Sequence, residues 1–214
     1  MRLLPSGSRG VLVELDDLDQ VMALHARLRD ADLPGVVDLV PAARTVLLVL
    51  DPGATSPATV AERLRALPGA TVPTASAADR RGAAGPDLVE VPVVYDGHDL
   101  AEVGRLTGWG ADGVVARHTG TTWTVAFGGF APGFAYAVAD TGPRWQVPRR
   151  HEPRTRVPAG SVAVADGWTG VYPAASPGGW QLLGRTATAV WDLDRDPPAL
   201  LRPAVRVRFV AEPR

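Results

Sequence analysis

Four residue types are absent from this 214-residue sequence: cysteine, lysine, asparagine and isoleucine. The absence of cysteine excludes disulfide bonds, a thiolate nucleophile and a cysteine-ligated zinc site. The absence of lysine excludes a P-loop lysine, a Schiff base and a biotinyl-lysine carrier site on this chain. A phosphate or carboxylate must therefore be bound by arginine side chains or by backbone N–H groups.

The composition does not indicate a nucleic-acid-binding or membrane protein. The 22 basic and 23 acidic residues nearly cancel and are interspersed, so no broad positive field is expected. Lysine, asparagine and isoleucine have A/T-rich codons, which indicates that the arginine content reflects a G/C-rich genome. Because there is no long apolar run, and residues 1–10 are polar and contain glycine, we predict a cytoplasmic protein.

The first part of the chain predicts a small α+β domain over residues 1–80. Its periodicity indicates the order strand, helix, strand, strand, helix. The predicted elements are Ser8–Leu15, Asp16–Ala31, Val36–Val40, Thr45–Leu50 and Pro57–Leu67. This βαββα pattern is typical of a ferredoxin-like layer.

A second domain is expected over residues 86–214. The segment before it, Pro68–Pro86, is rich in Ala, Gly, Thr and Ser and is either an interdomain linker or a surface loop. The predicted helices are Asp99–Leu106, with Asp99 as the cap, and Ala111–His118. The predicted strands are Leu88–Tyr95, Thr121–Phe127, Ser161–Ala165, Gly170–Tyr172, Trp180–Leu183, Thr188–Leu193 and Val205–Val210. Many short strands between Gly and Pro turns indicate a barrel or a sandwich.

The candidate site lies in the run Pro148–Thr186, where proline and glycine dictate the backbone path. Four arginines lie within eight residues of this run: Arg149, Arg150, Arg154 and Arg156. Guanidinium groups bind carboxylate or phosphate through two hydrogen bonds, and a proline-stiffened segment would fix their geometry. We predict that Arg149, Arg154 or Arg156, ahead of Arg150, lines a site for a small acid. The alternative is that the arginines pair with nearby carboxylates or face water.

The segment Ser176–Trp180 within this run offers a hydroxyl, two glycines and an aromatic side chain. The N–H groups of Gly178 and Gly179 can form an anion nest or an oxyanion hole, and a tight turn is the alternative. No G-x-S-x-G motif occurs, so Ser176 and Ser161 are not expected to be covalent nucleophiles. The candidate substrate-binding residues of the run also include Ser161, Tyr172 and Trp180.

Two further features are candidates for the site. The first is the segment Gly128–Tyr136, whose aromatic residues Phe130, Phe134 and Tyr136 either contact a planar ligand or a partner, or belong to the core. The second is His118, which is a candidate general acid or base, or else a helix cap. The four histidines show no metal-ligand spacing, so we predict no metal bound by this chain.

Three ordered motifs carry a family resemblance: GGFAPGFAY, then PRTRVPAGSVA, then TGVYPAASPGGWQLLGRT. The sequence resembles the KipI / allophanate hydrolase subunit 1 family, which includes the B subunit of bacterial 5-oxoprolinase. The resemblance implies a cyclophilin-like β-barrel for the second domain. It also implies a component of an ATP-dependent 5-oxoprolinase, with ATP bound at the level of the complex. The implied partners are a KipA-like protein as the C component and a lactam-utilisation protein as the A component.

The same resemblance leaves alternative functions open. KipI proteins inhibit a sporulation histidine kinase, and no residue pattern in this sequence distinguishes such a regulator from a component of an enzyme. The family is also similar to one half of the carboxyltransferase region of urea carboxylase, which implies a role in urea or allophanate metabolism. Prolyl isomerase activity would rest on fold analogy alone.

Overall fold

The computed structural model of the chain describes residues 1–31, 33–67, 88–141 and 145–213. The chain divides into two compact units, Met1–Ala83 and Ala84–Arg214. The predicted linker Pro68–Pro86 lies outside the described residues. Within the described ranges, every helix is too short or too polar to cross a membrane.

The first unit is a four-stranded antiparallel sheet with two helices. Its elements are β1 (Arg2–Pro5), β2 (Gly10–Glu14), α1 (Leu18–Asp30), β3 (Val36–Pro41), β4 (Thr45–Leu50) and α2 (Pro57–Ala66). The strand order is β1-β2-β4-β3. Alternate residues of β4, namely Val46, Leu48 and Leu50, are buried, as expected for a sheet with one face on the core.

The helices of the first unit begin where the sequence indicates. The Oδ1 atom of Asp17 accepts the backbone N–H of Gln20 at 2.9 Å and caps α1, and Ser56 caps α2 ahead of Pro57. The βαββα order agrees with the prediction. The ferredoxin-like assignment is not confirmed. In a ferredoxin-like fold the edge strand beside the first strand follows the second helix, whereas here that edge strand is β1, which precedes the βαββα pattern.

The second unit is mixed α/β and is dominated by strands. Its elements are β5 (Leu88–Val93), α3 (Leu100–Thr107), α4 (Gly110–Gly120), β6 (Thr122–Gly128), β7 (Ala135–Ala139), β8 (Arg154–Val157), β9 (Ser161–Ala165), β10 (Trp168–Val171), β11 (Ser176–Gly178), β12 (Gln181–Arg185) and β13 (Arg206–Ala211). Seven of the strands form one sheet in the order β12-β9-β10-β7-β6-β13-β5, and β8 pairs with β11 separately.

The seven-stranded sheet is barrel-like because its two edges meet. Val94, just after β5, and Arg185, at the end of β12, exchange two backbone hydrogen bonds of 2.9 and 3.0 Å. The interior is filled by buried residues of the strands and of α3 and α4, including Trp123, Leu183 and Phe209. The predicted mixed fold with a barrel-like sheet is therefore confirmed, while its cyclophilin-like character remains a prediction.

Several local predictions differ from the structure. The sequence does not predict the strands β1, β7, β8 and β11, because they are short or lie in segments rich in Gly, Pro and aromatic residues. The predicted strand Thr188–Leu193 is replaced by an isolated bridge between Trp191 and Ala199. Asp99 is the N-cap residue of α3, but its side chain makes no capping hydrogen bond. Its carboxylate instead accepts hydrogen bonds from Arg150, Arg154 and the backbone N–H of Leu182.

Candidate functional site

The second unit contains a pocket of about 410 Å³. The loop that follows β5 forms one wall, β8 and the start of β9 form another, and β12 completes it. The polar lining residues are Asp96, His98, Arg154, Arg156, Ser161 and Arg185. Arg154 and Arg156 share one face of β8 because side chains alternate along a strand, and the intervening Thr155 is exposed on the other face.

A buried carboxylate beside the pocket binds two of the predicted arginines. Asp99 is 4% exposed, and its Oδ1 accepts hydrogen bonds of 2.8 Å from Nη1 of Arg150 and from Nη2 of Arg154. Its Oδ2 accepts the backbone N–H of Leu182 at 2.7 Å. These contacts attach the segment that enters β8 to both α3 and β12.

The contacts of Asp99 keep it charged. Burial alone would raise the pKa of the Asp99 carboxyl, but the hydrogen bonds from Arg154 and Leu182 N and the charges of Arg154 and Arg150 lower that pKa below its ordinary value. A buried carboxylate is stable only when it is paired and hydrogen-bonded in this way. Asp99 therefore acts as a fixed negative charge that orients two guanidinium groups.

Arg154 and Arg156 retain hydrogen-bonding capacity. Nη1 of Arg154 is buried and has no acceptor in the described part of the chain. Arg156 is exposed and forms no hydrogen bond or ion pair with any described residue. At the rim, Nε of Arg185 donates to Oδ2 of Asp96 at 2.9 Å. The pocket therefore has an excess of cationic donors, which suits a small anion.

Of the remaining predicted site residues, Ser161 lines the pocket, whereas Arg149 and the segment Ser176–Gly179 do not. Arg149 is not among the residues that line the pocket, and its Nε lies 3.8 Å from Oδ2 of Asp166 at an exposed ion pair. Ser161 is 5% exposed and lines the pocket at the start of β9. Ser176 and Gly178 belong to β11, and the Oγ atom of Ser176 is buried with no partner among the described residues.

The two glycines after Ser176 do not form an anion nest, and Gly178 is required for close packing. Gly178 and Gly179 do not have positive φ, which is the conformation that such a nest requires at alternate residues. A Cβ built at Gly178 would collide with Oη of Tyr172 and lie 2.9 Å from its Cζ. The carbonyl of Gly179 accepts the N–H of Arg150 at 2.8 Å. A side chain at position 178 would therefore push against the buried ring of Tyr172.

The predicted aromatic residues form a cluster of their own. Phe134, Tyr172 and Trp180 are buried, and Tyr136 packs against them. The ring centroid of Phe134 lies 5.2 Å from that of Tyr172 and 5.3 Å from that of Trp180, and both pairs have edge-to-face geometry. Phe130 is 62% exposed at a φ of 68° and contacts Phe134 from outside. Of this group, Phe130 is the residue most available to a ligand or partner.

His118 does not reach the pocket. It is fully buried inside the barrel, where Nδ1 lies 2.7 Å from the hydroxyl of Tyr95 and Nε2 lies 2.8 Å from Oγ1 of Thr169. Burial lowers the pKa of His118 to about 3. A general acid or base must reach its substrate, so His118 is not part of the proposed site.

Sequence reasoning missed the residues that follow β5. The polar segment Asp96–Asp99 supplies one wall of the pocket and the carboxylate that holds Arg154. Its Gly97 packs so closely on β12 that a Cβ would collide with the carbonyl oxygen of Leu182. A run of charged residues and glycine directly after an apolar strand is the signal that would have identified this wall.

Comparison with known proteins gives matches in both sequence and structure. A family model described as carboxyltransferase domain, subdomain C and D, matches residues 1–201. The B subunit of 5-oxoprolinase from Escherichia coli O157:H7 is 47% identical over 128 residues, 58% of this chain and 58% of that protein. The B subunit of 5-oxoprolinase from Bacillus subtilis strain 168 is 42% identical over 126 residues, 58% of this chain and 52% of that protein. These matches cover little more than half of each relative.

Solved structures share the fold. The crystal structure of TTHA0988 superposes with a TM-score of 0.75 and 37% identity, over 97% of this chain and 41% of that one. The urea amidolyase of K. lactis superposes with a TM-score of 0.64 at 19% identity, over 99% of this chain and 16% of that one. Both neighbours are longer polypeptides, in which the equivalent of this chain is one part.

Proposed function

The chain belongs to the carboxyltransferase-domain family, subdomain C and D. Within this family, we propose that it is one component of a multi-protein, ATP-dependent 5-oxoprolinase. In the proposed reaction, one water opens the lactam of 5-oxoproline to glutamate, while ATP and a second water give ADP and phosphate. The proposed partners are a KipA-like protein and a lactam-utilisation protein.

The pocket bounded by Arg154 and Arg156 is the observation that carries this proposal. The substrate is a small cyclic amide with one carboxylate, and the pocket combines cationic donors with the apolar side chains of Pro158 and Leu182. An arginine is well suited to a carboxylate because its planar fork can make two parallel hydrogen bonds. The two relatives named as B subunits of 5-oxoprolinase support the same assignment.

The proposal also requires partners. The chain has no lysine for a P-loop, so the nucleotide site is assigned to the complex rather than to this chain. Phe130, exposed beside the aromatic cluster, is the proposed contact with a partner because exposed aromatic residues often anchor interfaces. In this scheme, the chain binds the carboxylate of the substrate while the rest of the complex activates the lactam with ATP.

Reconstitution tests the proposed function. The chain is combined with the two proposed partners, and glutamate and phosphate are measured with 5-oxoproline and ATP. We expect one phosphate per glutamate, no glutamate when this chain is omitted, and at least a tenfold loss with Arg154→Ala, because one charge-assisted hydrogen bond contributes about 1.5–3 kcal/mol. Arg208→Ala on β13, an exposed arginine paired with Glu90, serves as the matched control.

The result that contradicts the proposal is an assembled complex that releases no glutamate. The histidine-kinase inhibitor and the urea or allophanate enzyme then become the hypotheses to test, and both remain predictions of the family resemblance. The likeness to urea amidolyase concerns the fold alone, and the relative from B. subtilis carries the 5-oxoprolinase name. We therefore favour the enzyme component.

A further inference from the structure

Two arginines on one strand have donors that no described residue satisfies. Arg154 and Arg156 project from the same face of β8, and both line the pocket. Nη2 of Arg154 is bound by Asp99, whereas Nη1 has no acceptor in the described ranges. Arg156 has neither a hydrogen bond nor an ion pair there. Unsatisfied buried donors are rare in folded proteins, and a bound ligand is one explanation for them.

Asp99 explains why Arg154 has a defined orientation. Its Oδ2 is held by Leu182 N at 2.7 Å, so the carboxylate is fixed to β12. Its Oδ1 then holds Arg154 and Arg150 at 2.8 Å each. The side chain of Arg154 is only 20% exposed, which restricts it further. A guanidinium fixed in advance loses less conformational freedom when it binds a ligand.

From this geometry we propose that Arg154 and Arg156 form an oxyanion subsite and that Asp99 is its positioning residue. The oxyanion is the carboxylate of the lactam, and this choice of ligand rests on the proposed function. The existence of the subsite rests on the contacts of the three residues alone. Orthophosphate also presents negatively charged oxygens to arginine, so the test must distinguish binding of the lactam carboxylate from binding of orthophosphate.

Binding to the reconstituted complex without ATP tests the subsite. The complex is titrated calorimetrically with 5-oxoproline, with 2-pyrrolidinone, which is the same ring without the carboxylate, and with orthophosphate. We expect the wild type to bind 5-oxoproline at least tenfold more tightly than 2-pyrrolidinone. Arg156→Gln and Asp99→Asn should each weaken 5-oxoproline at least tenfold and leave 2-pyrrolidinone unchanged. Arg208→Gln, on the exposed pair with Glu90, should change none of the three affinities.

Three results would overturn the proposal. The first is equal wild-type affinity for the two lactams. The second is equal weakening of both lactams in the variants, because that would give Asp99 and Arg156 a structural role only. The third is phosphate binding that is sensitive to both substitutions while 5-oxoproline binding is not, because the subsite would then belong to phosphate. Arg156 is exposed, so Arg156→Gln keeps the test decisive even if Asp99→Asn does not fold.

The same complex separates failure of the subsite from failure of the proposed function. A complex that prefers 5-oxoproline in this way but releases no glutamate with ATP retains the subsite and rejects the function. Glutamate release with an unchanged KM for 5-oxoproline in Arg156→Gln retains the function and rejects the subsite.

Discussion

Oδ1 of Asp99 and Nη2 of Arg154 lie 2.8 Å apart across 55 positions of sequence. The contact joins the start of α3 to β8, and the same carboxylate reaches β12 through Leu182 N. It is therefore both a structural connection and the element that orients one wall of the pocket.

The first prediction concerns stability after loss of Arg154. Arg154→Ala removes one charged donor from a buried carboxylate, while Arg150 and Leu182 N remain. We expect the free energy of unfolding to fall by about 1.5–3 kcal/mol, the range for a hydrogen bond to a charged group. Urea denaturation at pH 7 measures it. Arg105→Ala, which breaks an exposed pair with Glu102, is the control and should give no measurable change. Equal losses in the two variants would contradict the prediction.

The second prediction concerns the pH dependence that Asp99 contributes. Its pKa is lower in the folded chain than the ordinary carboxyl value of about 3.9. The unfolded state therefore binds the proton first, and the stabilisation is present above about pH 4 and lost as pH falls toward the lower folded pKa. Unfolding free energies of wild type and Asp99→Asn, measured as pH falls below 5, should converge. Parallel profiles would show that Asp99 is not held in its charged form.

The third prediction separates two roles of glycine. Gly178→Ala places a Cβ against the buried ring of Tyr172, so we expect a loss of about 1–3 kcal/mol, typical of overpacking. Gly120→Ala at the end of α4 meets no atom within 4 Å and should be neutral or slightly stabilising. Thermal and urea unfolding of the two variants make the comparison. A neutral Gly178→Ala would show that the space beside Tyr172 adjusts.

The sequence predicts elements more readily than contacts. Helices such as α2 follow from a Ser cap, a Pro at the first position and apolar spacing, all of which are local signals. β8 and β11 have no such signal, because each is three or four residues long and contains or adjoins proline. Their strand structure comes from their pairing with each other, which is a non-local contact.

The candidate site also depends on contacts between residues that are distant in sequence, which local patterns do not predict. A cluster of arginines in a proline-rich run is visible in the sequence. The partner of Arg154, however, is Asp99, which lies 55 residues away and whose local sequence predicts only a helix cap. Similarly, Phe134 and Phe130 belong to one motif, yet one is 2% and the other 62% exposed. Both residues lie in the loop between β6 and β7, and local periodicity does not predict which side of that loop packs on the core.

The last prediction follows from the hydrogen-bond chain through His118. Oγ1 of Thr169 donates to the carbonyl of Ala163 at 3.2 Å, so it accepts from Nε2–H of His118. Nδ1 of His118 then accepts from the hydroxyl of Tyr95, and the imidazole is neutral. Burial lowers the pKa of His118 to about 3, whereas an unfolded histidine has a pKa of about 6.5.

Between these two pKa values the unfolded state binds one more proton than the folded state. The free energy of unfolding should therefore decrease as pH falls from about 6.5 to about 3, by up to about 1.4 kcal/mol per pH unit. Urea denaturation of wild type and His118→Gln across this pH range isolates the contribution of His118. The difference between their free energies of unfolding should narrow at low pH. Thr169→Val keeps the imidazole and should keep the slope. A constant difference between wild type and His118→Gln would mean that His118 takes up its proton in the folded chain, and that the barrel interior admits a charge.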